Sequence, residues 1–371
     1  MKVVTAGTGN NKAASARPFL LAKQSVAQRR RNVCGVLLAL LLGSILLSAA
    51  NGPANIPYGS VARILLNGLG LHVPVNLPPD ELASDMVIVN TIRLPRILVG
   101  ALVGAALAAS GVTMQGVFRN ALADPGILGV GAGGGFGAVL AITTGIAQAS
   151  LWVVPLCAFA GSFGAVFLVY SLSMVRGRND TTTLILAGMA LSVLLGSLTS
   201  MLILFARNDY AGQAALSWLF GKLDGRGWDY FSVAILPISI AMIITFAYCR
   251  ELNLLLTGEE AAQSLGVDVP RSRMVLLTLT AIMTGVAVSI SGGISFVGLM
   301  IPHALRLIVG PDYRVLLPAS ALGGALFLVL TDTAARLILQ PVEVNVGILT
   351  ALLGAPFFLF LLWHNRQAIA V

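Results

Sequence analysis

Arg119-Asn120-Ala121-Leu122-Ala123-Asp124-Pro125-Gly126-Ile127-Leu128-Gly129-Val130 separates two apolar stretches and runs into Gly131-Ala132-Gly133-Gly134-Gly135. Lipid cannot hydrogen-bond the backbone groups that a polar, proline-bearing break sets free, so protein or water must surround this segment. An irregular element beside a glycine-lined helix fits a pathway through a membrane better than a simple anchor.

The rest of the chain reads the same way. Its 371 residues are 57% hydrophobic and 10% charged, with a mean hydropathy of +0.90. A soluble domain of this length carries far more charge. Apolar runs predict an all-α polytopic membrane protein with ten spans, near 32–51, 94–115, 127–145, 152–174, 183–205, 231–249, 274–292, 296–310, 315–331 and 344–364. The net charge of +8 does not imply a nucleic-acid partner. Lys and Arg sit in short clusters between spans, with no basic groove interleaved with aromatics.

Residues 1–31 form a basic tail ending in Arg29-Arg30-Arg31, followed by an apolar stretch too long for a signal-peptide core. An uncleaved first helix starting in the cytoplasm is expected, with residues 32–371 forming the transmembrane domain. Ten spans then return the C-terminus to the cytoplasm. Sixteen Lys and Arg fall on cytoplasmic segments and seven outside, as orientation preference requires. Arg93, Arg96 and Arg336 are the anomaly, because they sit at external helix ends. Cys34, Cys157 and Cys249 show no CxxC spacing and read as packing residues, and neither a metal nor a cofactor is indicated.

Gly104-Ala105-Ala106-Leu107-Ala108-Ala109-Ser110-Gly111 is echoed by Gly285-Val286-Ala287-Val288-Ser289-Ile290-Ser291-Gly292, five spans later. A five-plus-five inverted repeat accounts for the echo, and so does close helix contact through small residues. Residues 60–69 carry apolar positions at helical spacing, as in a helix lying at the interface. Residues 252–273 are too polar to cross lipid. Their pattern predicts two short helices with a turn, Glu259, Glu260 and Gln263 outward, and Ala261, Ala262, Leu265 and Val267 able to pack. This segment is either a docking surface for a cytoplasmic partner or a solvated loop.

No lysine lies in a phosphate-binding GxxxxGK[ST] loop, so the chain cannot energise transport with one of its own. No HExxH, GxSxG or chain of midplane carboxylates points to an enzyme or to proton coupling.

Several motifs, in order, resemble one family. They are Arg93-Leu94-Pro95-Arg96, Ser110-Gly111-Val112-Thr113-Met114-Gln115-Gly116, Asn120-Ala121-Leu122-Ala123-Asp124-Pro125-Gly126, Trp218-Leu219-Phe220-Gly221, Gly258-Glu259-Glu260-Ala261-Ala262 with Leu265-Gly266-Val267, Ser291-Gly292-Gly293-Ile294-Ser295-Phe296-Val297-Gly298-Leu299, Ile301-Pro302-His303 and Gly354-Ala355-Pro356. Together they resemble the permease subunits of ABC importers for iron-siderophores, haem and cobalamin, over about 33–366. Ala121 replaces the family's usual proline, and Lys222 the more usual serine.

The resemblance implies a non-enzymatic translocation subunit of the bacterial inner membrane. Its partners would be a second copy of itself, two cytoplasmic ATPase subunits and an external substrate-binding protein. Residues 252–273 become the coupling helices, with Glu259, Glu260, Leu265 and Gly266 meeting the ATPase. Asn120 and Leu122, with Thr181 and Thr182, fall at the cytoplasmic gate. Arg93, Arg96 and Arg336 match positions that receive acidic residues of the binding protein, and snorkelling to the interface is the alternative. Arg207, Ser197 and Ser200 are candidate pathway residues for an anionic iron chelate, although Arg207 also reads as an ordinary helix-end residue. His303 reads as structural rather than as a haem ligand.

Overall fold

The computed structural model describes residues 11–54, 56–68, 70–71, 73–74, 78–173 and 181–364. Lys2, His72, Arg176, Arg178, Asp180 and everything after 364 lie outside them. Among the described residues, seven helices are long and apolar enough to cross a membrane, and three shorter apolar ones, 130–144, 297–309 and 346–360, complete the ten expected.

Helix α1 (Asn11–Ala50) begins inside the expected basic tail, so helix continues through Arg29-Arg30-Arg31 into the first span. Helix α2 (Tyr58–Gly68) is the amphipathic helix expected at 60–69, with Val61 and Ile64 buried. Helix α3 (Pro79–Val87) continues through a π turn at 88–93 into α4 (Leu94–Val117), so the second span starts earlier than its apolar run. Pro95 lies inside this continuous helix without an N–H to donate, and the Asn90 carbonyl, five residues back, accepts from the Trp228 indole instead.

After the 119–130 segment come α5 (Val130–Thr144), α6 (Val153–Ser173), α7 (Thr181–Leu204), α8 (Asp209–Leu219) and α9 (Trp228–Ala247). The polar segment holds α10 (Cys249–Leu255) and α11 (Glu259–Ser264). The chain closes with α12 (Val269–Ser291), α13 (Val297–Val309), α14 (Tyr313–Leu337) and α15 (Val346–His364).

Helices α4, α12 and α14 form the buried centre, and the spans carrying the glycine-alanine-serine echo, α4 and α12, pack on each other there. Contact between α4 and α14 depends on Gly104 and Gly324, since a methyl on either would collide with the other's carbonyl oxygen. Without a hydrophobic drive between helices in lipid, such backbone approach supplies the packing energy. The outer helices α6, α7 and α9 keep large apolar side chains exposed, among them Leu156, Val193 and Ile243.

Candidate functional site

Helix α4 ends at Phe118, and Arg119 turns the chain with a left-handed φ of 49°. The turn then satisfies its own backbone. The Asn120 N–H donates to the Gln115 carbonyl, the Leu122 N–H to Asn120 Oδ1 at 2.9 Å, and the Gly126 N–H to Asp124 Oδ1 at 2.8 Å. A short 3-10 turn, Pro125–Leu128, follows, and Gly129 (φ 76°) opens α5. Shelter comes from α7, where a side chain on Gly188 would strike the Ile127 carbonyl. Ala123, Pro125 and the stretch Leu128–Val130 are thus enclosed by protein, while Arg119 and Gly126 remain exposed. Asn120 is exposed, Leu122 half-buried, and Thr182 exposed at the start of α7. For Thr181, only its place as the first residue of α7 is described.

The polar 252–273 segment lies at the same end of the bundle, where Glu259 reaches Arg119. Two short helices form as expected, but their faces differ in part from expectation: Ala262 and Val267 are buried, whereas Ala261 and Leu265 are exposed, Leu265 by 56%. Glu260, Gln263 and Gly266 are exposed as well. Glu259 is half-buried rather than free, with Oε1 2.5 Å from Arg273 Nη2 and 3.6 Å from Arg119 Nη2. The segment is anchored to α14 because Asn253 donates to Asp312 and accepts from the Tyr313 N–H.

Arg93, Arg96 and Arg336 cluster at the opposite end, but they do not form the free cationic patch that docking calls for. Arg93 donates to the carbonyls of Ala49, Ala50 and Ala54 where α1 ends. Arg96 holds Asp332 through Nε and Nη2 and Glu343 through Nη1 at 2.9 Å. Arg336 approaches Asp332 Oδ2 at 3.2 Å and donates to Ser48 Oγ at 2.6 Å. All three arginines are buried. The open carbonyls at the end of α1 and the carboxylate of Asp332 draw them inward, because a buried guanidinium needs charge and hydrogen-bond partners. Sequence reasoning missed Asp332 and Glu343, although the four-residue step from Asp332 to Arg336 is a recognisable helical pair.

Arg207 lines a cavity of about 660 Å³ between α5 and α7, together with Phe136, Thr143, Thr144, Leu198, Met201 and Phe205. Its guanidinium is exposed and reaches only the Thr144 carbonyl, at 3.5 Å. Ser197 and Ser200 lie on the exposed face of α7, each donating to the carbonyl one helical turn back. His303 is half-buried, and no metal-binding group of three His, Cys, Asp or Glu occurs among the described residues. The three cysteines are free thiols.

A ten-span helical bundle with an irregular gate-like break and a polar two-helix appendage defines a multi-pass permease. The FecCD transport family matches residues 39–364, and the chain belongs to it. It is 44% identical over 359 residues to the cobalamin import system permease protein BtuC of Halobacterium salinarum, covering 90% of this chain and 95% of that protein. It is 37% identical over 340 residues to the hemin transport system permease protein HmuU of Yersinia pestis, covering 91% and 97%. It is 43% identical over 274 residues to the Fe(3+) dicitrate transport system permease protein FecD of Escherichia coli, covering 74% and 84%. A solved structure of an ABC transporter assigned to the metal-chelate type, in an inward-facing conformation, matches with a TM-score of 0.78 and 32% identity, over 90% of this chain and 99% of that one. The chain is a permease subunit of an ABC importer.

Proposed function

We propose that the cargo is an iron chelate, a ferric siderophore or haem, carried inward across a bacterial inner membrane by alternating access. The observation that carries this reading is Arg207 as the one cation in the lining of a largely apolar cavity of about 660 Å³. Such a surface receives an amphiphilic chelate, with a guanidinium for its carboxylates. A second copy of the chain faces α7, where Ser197 and Ser200 interrupt the exposed apolar surface. Two cytoplasmic ATPase subunits engage α11 through Glu260, Leu265 and Gly266. Their closure acts through Glu259 on the gate formed by Asn120 and Leu122 with Thr181 and Thr182. Both termini are cytoplasmic, and an external binding protein loads the end where Arg93, Arg96 and Arg336 cluster. Docking there requires an incoming carboxylate to exchange with Asp332 or Glu343.

Cobalamin is the second reading, favoured by the 44% identity to the Halobacterium permease. The test is uptake by the complete importer in proteoliposomes, offered a ferric siderophore, haem and cobalamin separately. ATP-dependent uptake of either iron chelate supports the proposal, and uptake of cobalamin alone overturns it. Uptake without any ATPase would point instead to an ion-coupled secondary transporter.

A further inference from the structure

A cavity of about 510 Å³ opens between α6, α8 and α9 at the end of the bundle that carries Arg96. Two cations, Lys222 and Arg226, line it, and its wall contains no carboxylate. Asp224 and Glu343, the carboxylates nearest Lys222, line the adjoining recess, where Glu343 is held by Arg96. The Arg226 guanidinium stacks 4.5 Å above the Tyr230 ring, which leaves its donor edge for another partner, and its buried Nε has none. The Trp218 indole N–H, buried in the same wall, is likewise unpartnered.

Ile142, Leu151, Val154 and Pro155 give part of the wall an apolar surface. Leu151 is 79% exposed and adjoins Val154 and the outer face of α6. Tyr210 and Tyr230 also line the cavity, and Trp152 packs on the Tyr230 ring with centroids 5.2 Å apart. A cationic recess beside the exposed apolar side chains Leu151 and Leu156 matches a molecule with an oxyanion head and a hydrocarbon tail.

We infer that this cavity holds the headgroup phosphate of an anionic phospholipid, with Lys222 and Arg226 on the phosphate and an acyl chain along α6. Arginine supplies paired donors and lysine a point charge, a combination suited to phosphate. The inference does not depend on which chelate the importer carries.

The test places the assembled importer in phosphatidylcholine nanodiscs containing a trace of photoactivatable phosphatidylglycerol, and maps the labelled peptides. The expected result is labelling around Leu151 that falls roughly tenfold in the Lys222→Gln/Arg226→Gln variant, the order expected from two interfacial cations. The charge-preserving Lys222→Arg/Arg226→Lys variant keeps the labelling. A melting temperature unchanged in both variants separates loss of the site from loss of the fold. Should the glutamine variant melt early, competition settles the matter in wild type: excess unlabelled phosphatidylglycerol must suppress the labelling where phosphatidylcholine does not. Labelling indifferent to charge and to competitor overturns the inference. Displacement of the lipid by ferric citrate also overturns it, because the cavity would then be a chelate subsite.

Discussion

Arg96 and Asp332, 236 residues apart in sequence, meet in the buried end of the bundle with Nε and Nη2 both on the carboxylate, at 3.1 and 2.9 Å. Asp332 also faces Arg336, so one carboxylate joins α4 to α14 and is shared by two guanidinium groups. Removing that carboxylate leaves uncompensated buried charge. Asp332→Asn is expected to destabilise the protein by about 3–5 kcal/mol. Glu343, 36% exposed in its side chain, ion-pairs with Arg96, and Glu343→Gln is expected to cost less than about 1 kcal/mol. Thermal melts of the two variants in detergent check the ordering, and equal losses would refute this account.

Gly111 and Gly298 bring α4 and α13 into backbone contact, and a methyl on Gly111 would overlap the Gly298 carbonyl. Gly111→Ala is expected to destabilise by about 3 kcal/mol or more, since backbone on both sides leaves nothing to yield. Gly164 on α6 has nothing within 4 Å of its would-be Cβ. Gly164→Ala should be neutral or stabilising by up to about 1 kcal/mol through helix propensity. Melting temperatures of the pair decide the matter.

Glu259 stands between Arg273 of α12 and Arg119 at the start of the irregular break. Arg119 and Glu259 are 45% and 38% exposed in their side chains, so their contact contributes little to stability and is easily broken and remade. In the assembled importer, Glu259→Gln is expected to lower uptake per ATP hydrolysed while hydrolysis continues. Glu259→Asp should recover part of the coupling. An unchanged uptake-to-hydrolysis ratio in Glu259→Gln would remove this residue from the coupling path.

Arg207 contributes one long hydrogen bond to the fold and is exposed. Arg207→Ala should therefore leave the melting temperature alone while reducing uptake of an anionic chelate roughly tenfold, the loss of one charge-assisted contact. Intact uptake of the preferred substrate would end its assignment to the pathway.

Cys249 in α10 is buried, and its Sγ lies 3.4 Å from the Tyr313 carbonyl. Burial, with Asp312 adding repulsion, pushes the thiol from 9.0 up to about 11. The folded protein therefore favours the neutral thiol. The stability it contributes is present below pH 9 and is lost as the pH rises through 11. Iodoacetamide should alkylate Cys249 slowly at pH 8, because the thiolate is the nucleophile. Faster labelling when the ATPase binds nucleotide would report separation of α10 from α14. Rapid labelling at pH 8 in the resting protein contradicts the packing described here.

The ten spans, the amphipathic helix near 60–69 and the paired short helices at 252–273 were all legible in the residue order. Each depends on run length, on a helical period, or on punctuation such as Gly266 and Pro270, and these act over one or two turns. The break at 119–130 was legible for the same reason, since its side chains, Asn120 and Asp124, satisfy the neighbouring backbone themselves.

Other features depend on distant partners. Whether Leu265 or Ala262 faces inward follows from how α11 leans on its neighbours, and two adjacent turns of one short helix cannot decide that. Long charged side chains at helix ends reach either water or protein. Arg93, Arg96 and Arg336 carry the same local signal in both cases. By itself, the sequence determined a ten-helix permease with an irregular, sheltered break and a polar appendage, because membrane burial imposes length, apolarity and backbone satisfaction on each segment separately. Only the tertiary structure turned the three arginines inward, because the acceptors that hold them, Asp332 and the carbonyls closing α1, reach them through the packing of α1, α4 and α14.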